Sequence, residues 1–263
     1  MLKTIFFGTP ETAVPFLRLL AKRTEVLAVV SQPDKPSGRG LEVSSTPVKK
    51  AALELGLKVL QPARPSEIAA ELKALGADFG VVVAYGRILK ADVLTSTRLG
   101  LLNAHFSLLP KYRGAAPVQW ALVKGETKTG VSLFWLDEGM DTGPVQDMTE
   151  TSVGPDEDAP ALLARLTAFG VGRLEAVIGD LSVGKVVRLP RKAPLHGSAH
   201  QARGRGHRPV ERRGRDPQSD PRIPVLAARH PEAGQRLRFG PQIGPPRAVR
   251  PDDERRSRSP PGR

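Results

Sequence analysis

No cysteine occurs among the 263 residues of the chain. That absence excludes a disulfide scaffold, a thiol nucleophile, a Cys-ligated zinc and an iron–sulfur cluster. It fits a reducing compartment, and the expected localisation is cytoplasmic. No run of about 18 apolar residues is present either, so no transmembrane helix and no membrane association are expected. Met1–Gly8 reads as a buried strand and not as a signal peptide, because polar turn residues follow it at once. Histidine is scarce. Of five in the chain, only His105 falls within residues 1–190. His-rich metal sites are thereby excluded from that segment, no metal is expected, and one residue remains that can act as a base near neutral pH.

Acidic residues are in short supply only at one end. Residues 1–190 hold 22 basic and 20 acidic residues, whereas residues 191–263 hold 18 and 7. The basic residues also change in kind, from 12 Lys and 10 Arg to 1 Lys and 17 Arg. With 12 prolines and only nine residues drawn from Ile, Leu, Val, Phe, Met, Trp and Tyr, the second segment has too little apolar surface to offset its ordering entropy. It reads as a disordered Arg/Pro-rich tail, apart from a short apolar piece near residues 223–228. Two origins compete for it. One is a natural arginine-rich arm that holds nucleic acid electrostatically. The other is a frameshift in a GC-rich gene, which the abrupt swing from Lys to Arg after Pro190 favours.

Residues 1–190 are long enough for one large α/β domain with a sizeable core. Unbroken apolar runs at 4–7, 26–30, 57–60, 79–84 and 100–105 alternate with helical patterns ending near Leu20 and spanning 48–55, 66–75, 92–96 and 116–124. Thr9 and Ser66 are the expected N-caps of the first and third helices, although Pro15 moves the start of the first one later. Residues 32–47 are polar and rich in Gly and Pro, hence a loop. Two further strands, 130–136 and 145–152, follow without an intervening helix, and a helix over 158–177 closes the segment. This pattern predicts a Rossmann-like open, mainly parallel sheet with helices on both faces, and ligand chemistry at the carboxyl ends of the strands. No G-x-G-x-x-G follows the first strand, so Gly8-Thr9-Pro10 is not read as a dinucleotide-binding turn.

The most informative stretch is Asn103-Ala104-His105-Phe106-Ser107-Leu108-Leu109-Pro110. Asn103 and His105 lie two apart at a strand end, so both side chains leave the same face. An amide donor beside an imidazole suits acyl chemistry: the amide stabilises an oxyanion and the imidazole takes a proton. A hydrogen-bonded strand-end histidine with no chemistry fits the same residues. Asp137-Glu138-Gly139-Met140-Asp141-Thr142-Gly143-Pro144 places three acids in a tight loop. One of these carboxylates could hold the imidazole, or the loop could be a solvated turn. Arg39, between two glycines in the 32–40 loop, can bring its guanidinium fork to a phosphate, or the loop is ordinary surface.

Taken together, Asn-x-His-x-Ser-Leu-Leu-Pro, the following Lys111-Tyr112-Arg113-Gly114-Ala115-Ala116-Pro117, and the later Gly-Met-Asp-Thr-Gly-Pro resemble the 10-formyltetrahydrofolate-dependent formyltransferases. Within them, the branch whose acceptor is methionyl initiator tRNA is the most similar. Phe-Phe-Gly-Thr-Pro, Gln-Pro-Asp-Lys-Pro-Ser-Gly-Arg-Gly and Val-Val-Ala-Tyr-Gly-Arg-Ile-Leu fit as well. The resemblance spans residues 1 to about 190, a catalytic domain. It implies catalysis by Asn103, His105 and Asp141, folate contacts from Ser107, Leu108, Leu109 and Pro110 with the pterin near the 82–89 strand end, and tRNA contact through Arg39. The implied substrates are 10-formyltetrahydrofolate and methionyl initiator tRNA, with no protein partner. The family carries a C-terminal β-barrel that grips tRNA, and residues 191–263 do not match it. The alternatives are another amine acceptor (glycinamide ribonucleotide or an amino sugar nucleotide), hydrolysis of 10-formyltetrahydrofolate, or a non-catalytic RNA-binding protein.

Overall fold

The computed structural model describes residues 1–37 and 42–190; Arg39 and the Arg/Pro-rich stretch 191–263 lie outside the described residues. In chain order the elements are β1 (Lys3–Gly8), a 3-10 turn (Glu11–Ala13), α1 (Val14–Arg23), β2 (Glu25–Val30), β3 (Lys35–Ser37), β4 (Glu42–Ser44), α2 (Pro47–Glu54), β5 (Val59–Leu60), a second 3-10 turn (Pro65–Ile68), α3 (Ala69–Ala74), β6 (Phe79–Val83), α4 (Ala91–Leu94), β7 (Leu101–His105), α5 (Pro117–Val123), β8 (Lys128–Trp135), β9 (Val145–Ser152) and α6 (Ala159–Ser182).

Seven strands form one sheet in the order β5-β2-β1-β6-β7-β8-β9. Every pairing from β5 to β7 is parallel, and β8 and β9 add as antiparallel strands. The Rossmann-like, mainly parallel sheet expected from the apolar runs is therefore what forms. The five residues of β6 are buried throughout, as a central strand covered on both faces requires.

Alternation along the strands divides the core in two. Phe6, Val29, Val81, Val83, Leu102, Ala104, Leu133 and Trp135 face α1, α2, α5 and α6. Ile5, Phe7, Val30, Val82 and Leu101 face α3 and α4 together with Tyr85 and Leu89. Asn103 and His105 share the parity of Leu101 and so emerge on the second face. Because β1 leads to β2 on one side while β6 continues on the other, the sheet reverses its winding between β1 and β6. Such a switch point opens a crevice at the carboxyl ends of the two strands, beside the end of β7.

Three local expectations need correction. Thr9 does not cap the first helix, whose start falls later, on the side that Pro15 indicated. A 3-10 turn intervenes, and α1 starts at Val14 with Pro15 in its first turn, where a proline lacks no needed N–H. Thr9 instead donates its hydroxyl to the Tyr85 carbonyl at 3.0 Å. Ser66 is not an N-cap either: Pro65 opens a 3-10 turn, the helix proper begins at Ala69, and Glu67 accepts the Arg64 N–H at 3.2 Å. Finally, the stretch expected as a plain loop contains the antiparallel pair β3–β4. Its base is fixed by Asp34, which accepts from Lys49 Nζ at 2.5 Å, Gln61 Nε2 at 2.8 Å and Ser45 Oγ at 3.3 Å. The Lys49 and Gln61 hydrogen bonds hold the Asp34 carboxyl below its ordinary value.

Candidate active site

His105 ends β7 and is buried. Its Nε2 lies 2.9 Å from the Tyr112 carbonyl oxygen. A carbonyl only accepts, so Nε2 carries the proton, and in the neutral ring Nδ1 is the basic nitrogen. Nδ1 faces Asp141 Oδ2 at 3.7 Å. The ring also stands edge-on to Phe134, with centroids 6.4 Å apart and planes at 83°. Asn103 sits two residues earlier on the same face, half-buried, and among the described residues its side-chain amide has no hydrogen-bond partner. The period-two reading of Asn103 and His105 thus corresponds to a real juxtaposition.

Of the three acids in the 137–144 loop, Asp141 is the one that reaches the imidazole. Its Oδ2 also accepts the Gly114 N–H at 2.7 Å, which ties this loop to the 107–116 loop. Asp137 serves its own turn, accepting from Gly139 N at 3.1 Å and Thr142 Oγ1 at 2.7 Å. Glu138 is exposed.

The residues expected to touch folate divide. Ser107 is fully buried, and its hydroxyl donates to the Lys111 carbonyl at 2.6 Å. Leu109 is buried against Phe134 and Val145. Leu108 is half-buried, and Pro110 is exposed after a cis peptide bond. The Leu109 N–H and the Ser107 carbonyl both meet the Ser132 hydroxyl, at 3.1 and 2.7 Å. Ser107 and Leu109 therefore fasten the loop onto β8. Arg39 lies outside the described residues.

Four non-glycine residues have positive φ among the described residues: Ala84 (46°), Tyr112 (55°), Ala116 (59°) and Asp141 (50°). Each such conformation costs about 1–3 kcal/mol and persists where the surroundings over-determine it. Ala84 follows β6, and the other three belong to the loops around His105.

Two grooves flank the switch point. One, of about 650 Å³, is lined by Arg64, Ser66, Glu67, Gly86, Arg87 and Lys90 among others. The other, of about 220 Å³, is lined by Thr9, Gln32, Lys35, Ser44, Ser45 and Thr46 among others. The Tyr85 carbonyl, held by Thr9 and by Gln32 Nε2 at 2.8 Å, joins their walls. Gly86 suits the place because its φ is 77°, and a Cβ there would also push Gln32 Nε2 off the Tyr85 carbonyl. Among the described residues no group of three or more His, Asp or Glu side chains could hold a metal ion, and no helix is long and apolar enough to cross a membrane.

Sequence reasoning missed Tyr112, Glu126, Thr9 and Gln32 as parts of this region. Tyr112 acts on His105 through a backbone carbonyl, which leaves no mark on residue type. Thr9 was visible, but as a helix cap.

Comparison with known proteins follows the same boundaries. The formyl transferase family model matches residues 2–178. A methionyl-tRNA formyltransferase of Elusimicrobium minutum is 55% identical over 190 residues, 72% of this chain and 57% of that protein. The chain thus spans little more than half the length of the curated relatives it matches. Glycinamide ribonucleotide transformylase 1 from Symbiobacterium toebii has the same fold, with a TM-score of 0.59 and 20% identity, covering 73% of this chain and 95% of that one. So does an N-formyltransferase from Helicobacter canadensis, solved with folinic acid and dTDP-3-aminofucose, with a TM-score of 0.59 and 22% identity, covering 73% and 68%. With its family match running from β1 into α6 and around the Asn103–His105–Asp141 constellation, the chain belongs to the formyl transferase family.

Proposed function

We propose that the protein transfers the formyl group of 10-formyltetrahydrofolate to the α-amino group of methionyl initiator tRNA. The observation that carries the chemistry is the imidazole of His105, with one nitrogen fixed by a carbonyl, the other facing Asp141, and the Asn103 amide on the same face. The acceptor is inferred from the 55% identity to a methionyl-tRNA formyltransferase over the same residues.

The amine attacks the formyl carbon, a new C–N bond forms, and the carbonyl oxygen takes up negative charge. Asn103 donates a hydrogen bond to that oxygen, a contribution of about 3 kcal/mol in comparable sites. His105 Nδ1 accepts the amine proton, and the imidazolium so formed is paired with the Asp141 carboxylate. The bond to N10 then breaks as the His105 imidazolium gives that proton to N10, and tetrahydrofolate leaves as the N–H amine. The groove by Gly86 suits the donor: the exposed Ile88 offers apolar surface in its wall, and Arg64, Arg87 and Lys90 suit a carboxylate tail. The buried Tyr85 hydroxyl, which has no partner among the described residues, is an orphan that a bound polar ring or water would satisfy. Arg39 and the β3–β4 arm are assigned to the acceptor end of the tRNA.

The test is tetrahydrofolate release from 10-formyltetrahydrofolate, with and without charged initiator tRNA, in the wild-type chain and in His105→Ala. Release should need charged tRNA and fall by about 10²- to 10⁴-fold in the variant with the melting temperature unchanged. Release without any acceptor means a hydrolase, and release only with glycinamide ribonucleotide means a different acceptor. Activity within a few-fold of wild type in His105→Ala removes His105 from the mechanism.

A further inference from the structure

We infer that Glu126 and Tyr112 form a clamp that sets the tautomer and orientation of His105 from outside the reacting centre, making both of them positioning residues. This inference rests on the formyl-transfer reading of the site.

The chain of contacts is short. The Tyr112 carbonyl receives the Nε2 proton of His105 at 2.9 Å. The direction of that carbonyl depends on a backbone held at φ 55°, a left-handed conformation that a bulky side chain rarely adopts unaided. What holds it is the far end of the same residue. The Tyr112 hydroxyl donates to Glu126 Oε1 at 2.6 Å. Glu126 in turn is clamped by Lys111 Nζ, 3.1 and 3.0 Å from its two oxygens. Lys111 is itself fixed, its carbonyl by Ser107 Oγ and its N–H by the Leu108 carbonyl at 3.0 Å. Two residues beyond Tyr112, the Gly114 N–H is bound by Asp141. The strained peptide is thus anchored on both flanks and through its own ring.

Glu126 can serve as the fixed point because of how α5 ends. The Glu126 N–H donates to the Ala121 carbonyl at 3.0 Å and the Gly125 N–H to the Leu122 carbonyl at 2.9 Å, with Gly125 at φ 64°. This is the paired 6→1 and 5→2 closure of a Schellman cap, which sets the backbone of residue 126 rigidly between α5 and β8. Both partners keep the protonation states the clamp needs. The Tyr112 hydrogen bond, with Lys111 beside it, holds the Glu126 carboxyl below its ordinary value. Burial and the same carboxylate push the Tyr112 phenol up to about 12.

The consequence is chemical. With the carbonyl fixed, the proton of the neutral ring stays on Nε2 and the lone pair stays on Nδ1, the nitrogen facing Asp141. Releasing the Tyr112 peptide lets the proton move to Nδ1, where Asp141 attracts it, and moves the lone pair to Nε2, away from the position the reaction uses.

The experiment compares Tyr112→Phe, Glu126→Ala and Glu126→Gln in the full chain. The His105 ring is read by ¹⁵N imidazole resonances, identified by their absence in His105→Ala, together with kcat and KM for both substrates. The wild-type ring should show the Nε2–H form. Tyr112→Phe and Glu126→Ala should shift it toward Nδ1–H and lower kcat roughly tenfold with KM within about twofold. Glu126→Gln keeps an acceptor oxygen for the phenol and should restore the tautomer and most of kcat. An unchanged tautomer in Tyr112→Phe and Glu126→Ala, or a rise in KM alone, overturns the clamp. So does a Glu126→Gln ring that behaves like Glu126→Ala. The resonance readout needs no acceptor, so tautomer shifts in the variants of a chain whose wild-type form transfers no formyl group sink the reading of the reaction and leave the clamp standing.

Discussion

At the scale of single residues, the region around His105 assigns different work to neighbours in sequence. Asn103 has an amide without a protein partner among the described residues, whereas Ser107, four positions on, has a hydroxyl fully engaged with the Lys111 carbonyl. The first is available to a substrate, and the second fixes a loop. Asn103→Ala should therefore lower kcat by roughly 10²- to 10³-fold, the usual effect of losing one oxyanion donor, with urea stability close to wild type. Steady-state formyl transfer and an unfolding curve on the same variant decide it, and an unchanged kcat removes the oxyanion role. What the sequence made legible here was the pairing of Asn103 with His105, because a period of two is a property of any strand. The selection of Asp141 from three nearby acids rested on family resemblance. Tyr112 and Glu126 were not legible, since their effect passes through a backbone carbonyl and a helix cap.

At the scale of elements, the strands were readable because buried parallel strands leave continuous apolar runs, and β6 is the plainest case. The departures cluster at prolines and polar arms. Pro10 and Pro65, at expected helix starts, each lead into a 3-10 turn instead, and β3–β4 lack the apolar alternation that would mark a hairpin. The junction of β9 and α6 shows how polar groups complete such a frame. Arg165 donates to both oxygens of Glu157 at 2.8 and 2.7 Å, to Thr151 Oγ1 at 2.8 Å and to the Ser152 carbonyl at 2.7 Å. The Arg165 hydrogen bonds, then the Gly154 N–H, lower the Glu157 carboxyl to about 2 from an ordinary 4.5. A depressed folded-state value means the stabilisation is present above 4.5 and is lost as pH falls toward 2. Glu157→Gln should thus flatten the decline of the urea midpoint between those two pH values, with the variant and wild type converging at the acid end. Parallel declines would show that this carboxylate is not linked to folding.

At the scale of the whole molecule, charge is unevenly divided along the chain. Residues 1–190 carry 22 basic and 20 acidic residues, and every described element of the sheet is complete before Pro190. The 18 basic residues of 191–263 set against 7 acidic ones predict RNA binding that weakens steeply with salt, since each neutralised phosphate releases counterions. Filter binding of tRNA across a salt series should give a steeper slope for the full chain than for one ending at Pro190, and equal slopes would reject an electrostatic role for the segment. The seven-stranded sheet has a further property. One edge, β5, is only two residues long. The other, β9, alternates half-buried Asp147, Thr149 and Thr151 with exposed Met148, Glu150 and Ser152, and its first residue, Val145, is bridged by Leu189 through hydrogen bonds of 3.0 and 2.9 Å. Arg173 ties Asp147 of the same strand to α6. Neither edge offers a long, flat, apolar template, so this sheet resists recruiting a second chain into cross-β aggregation.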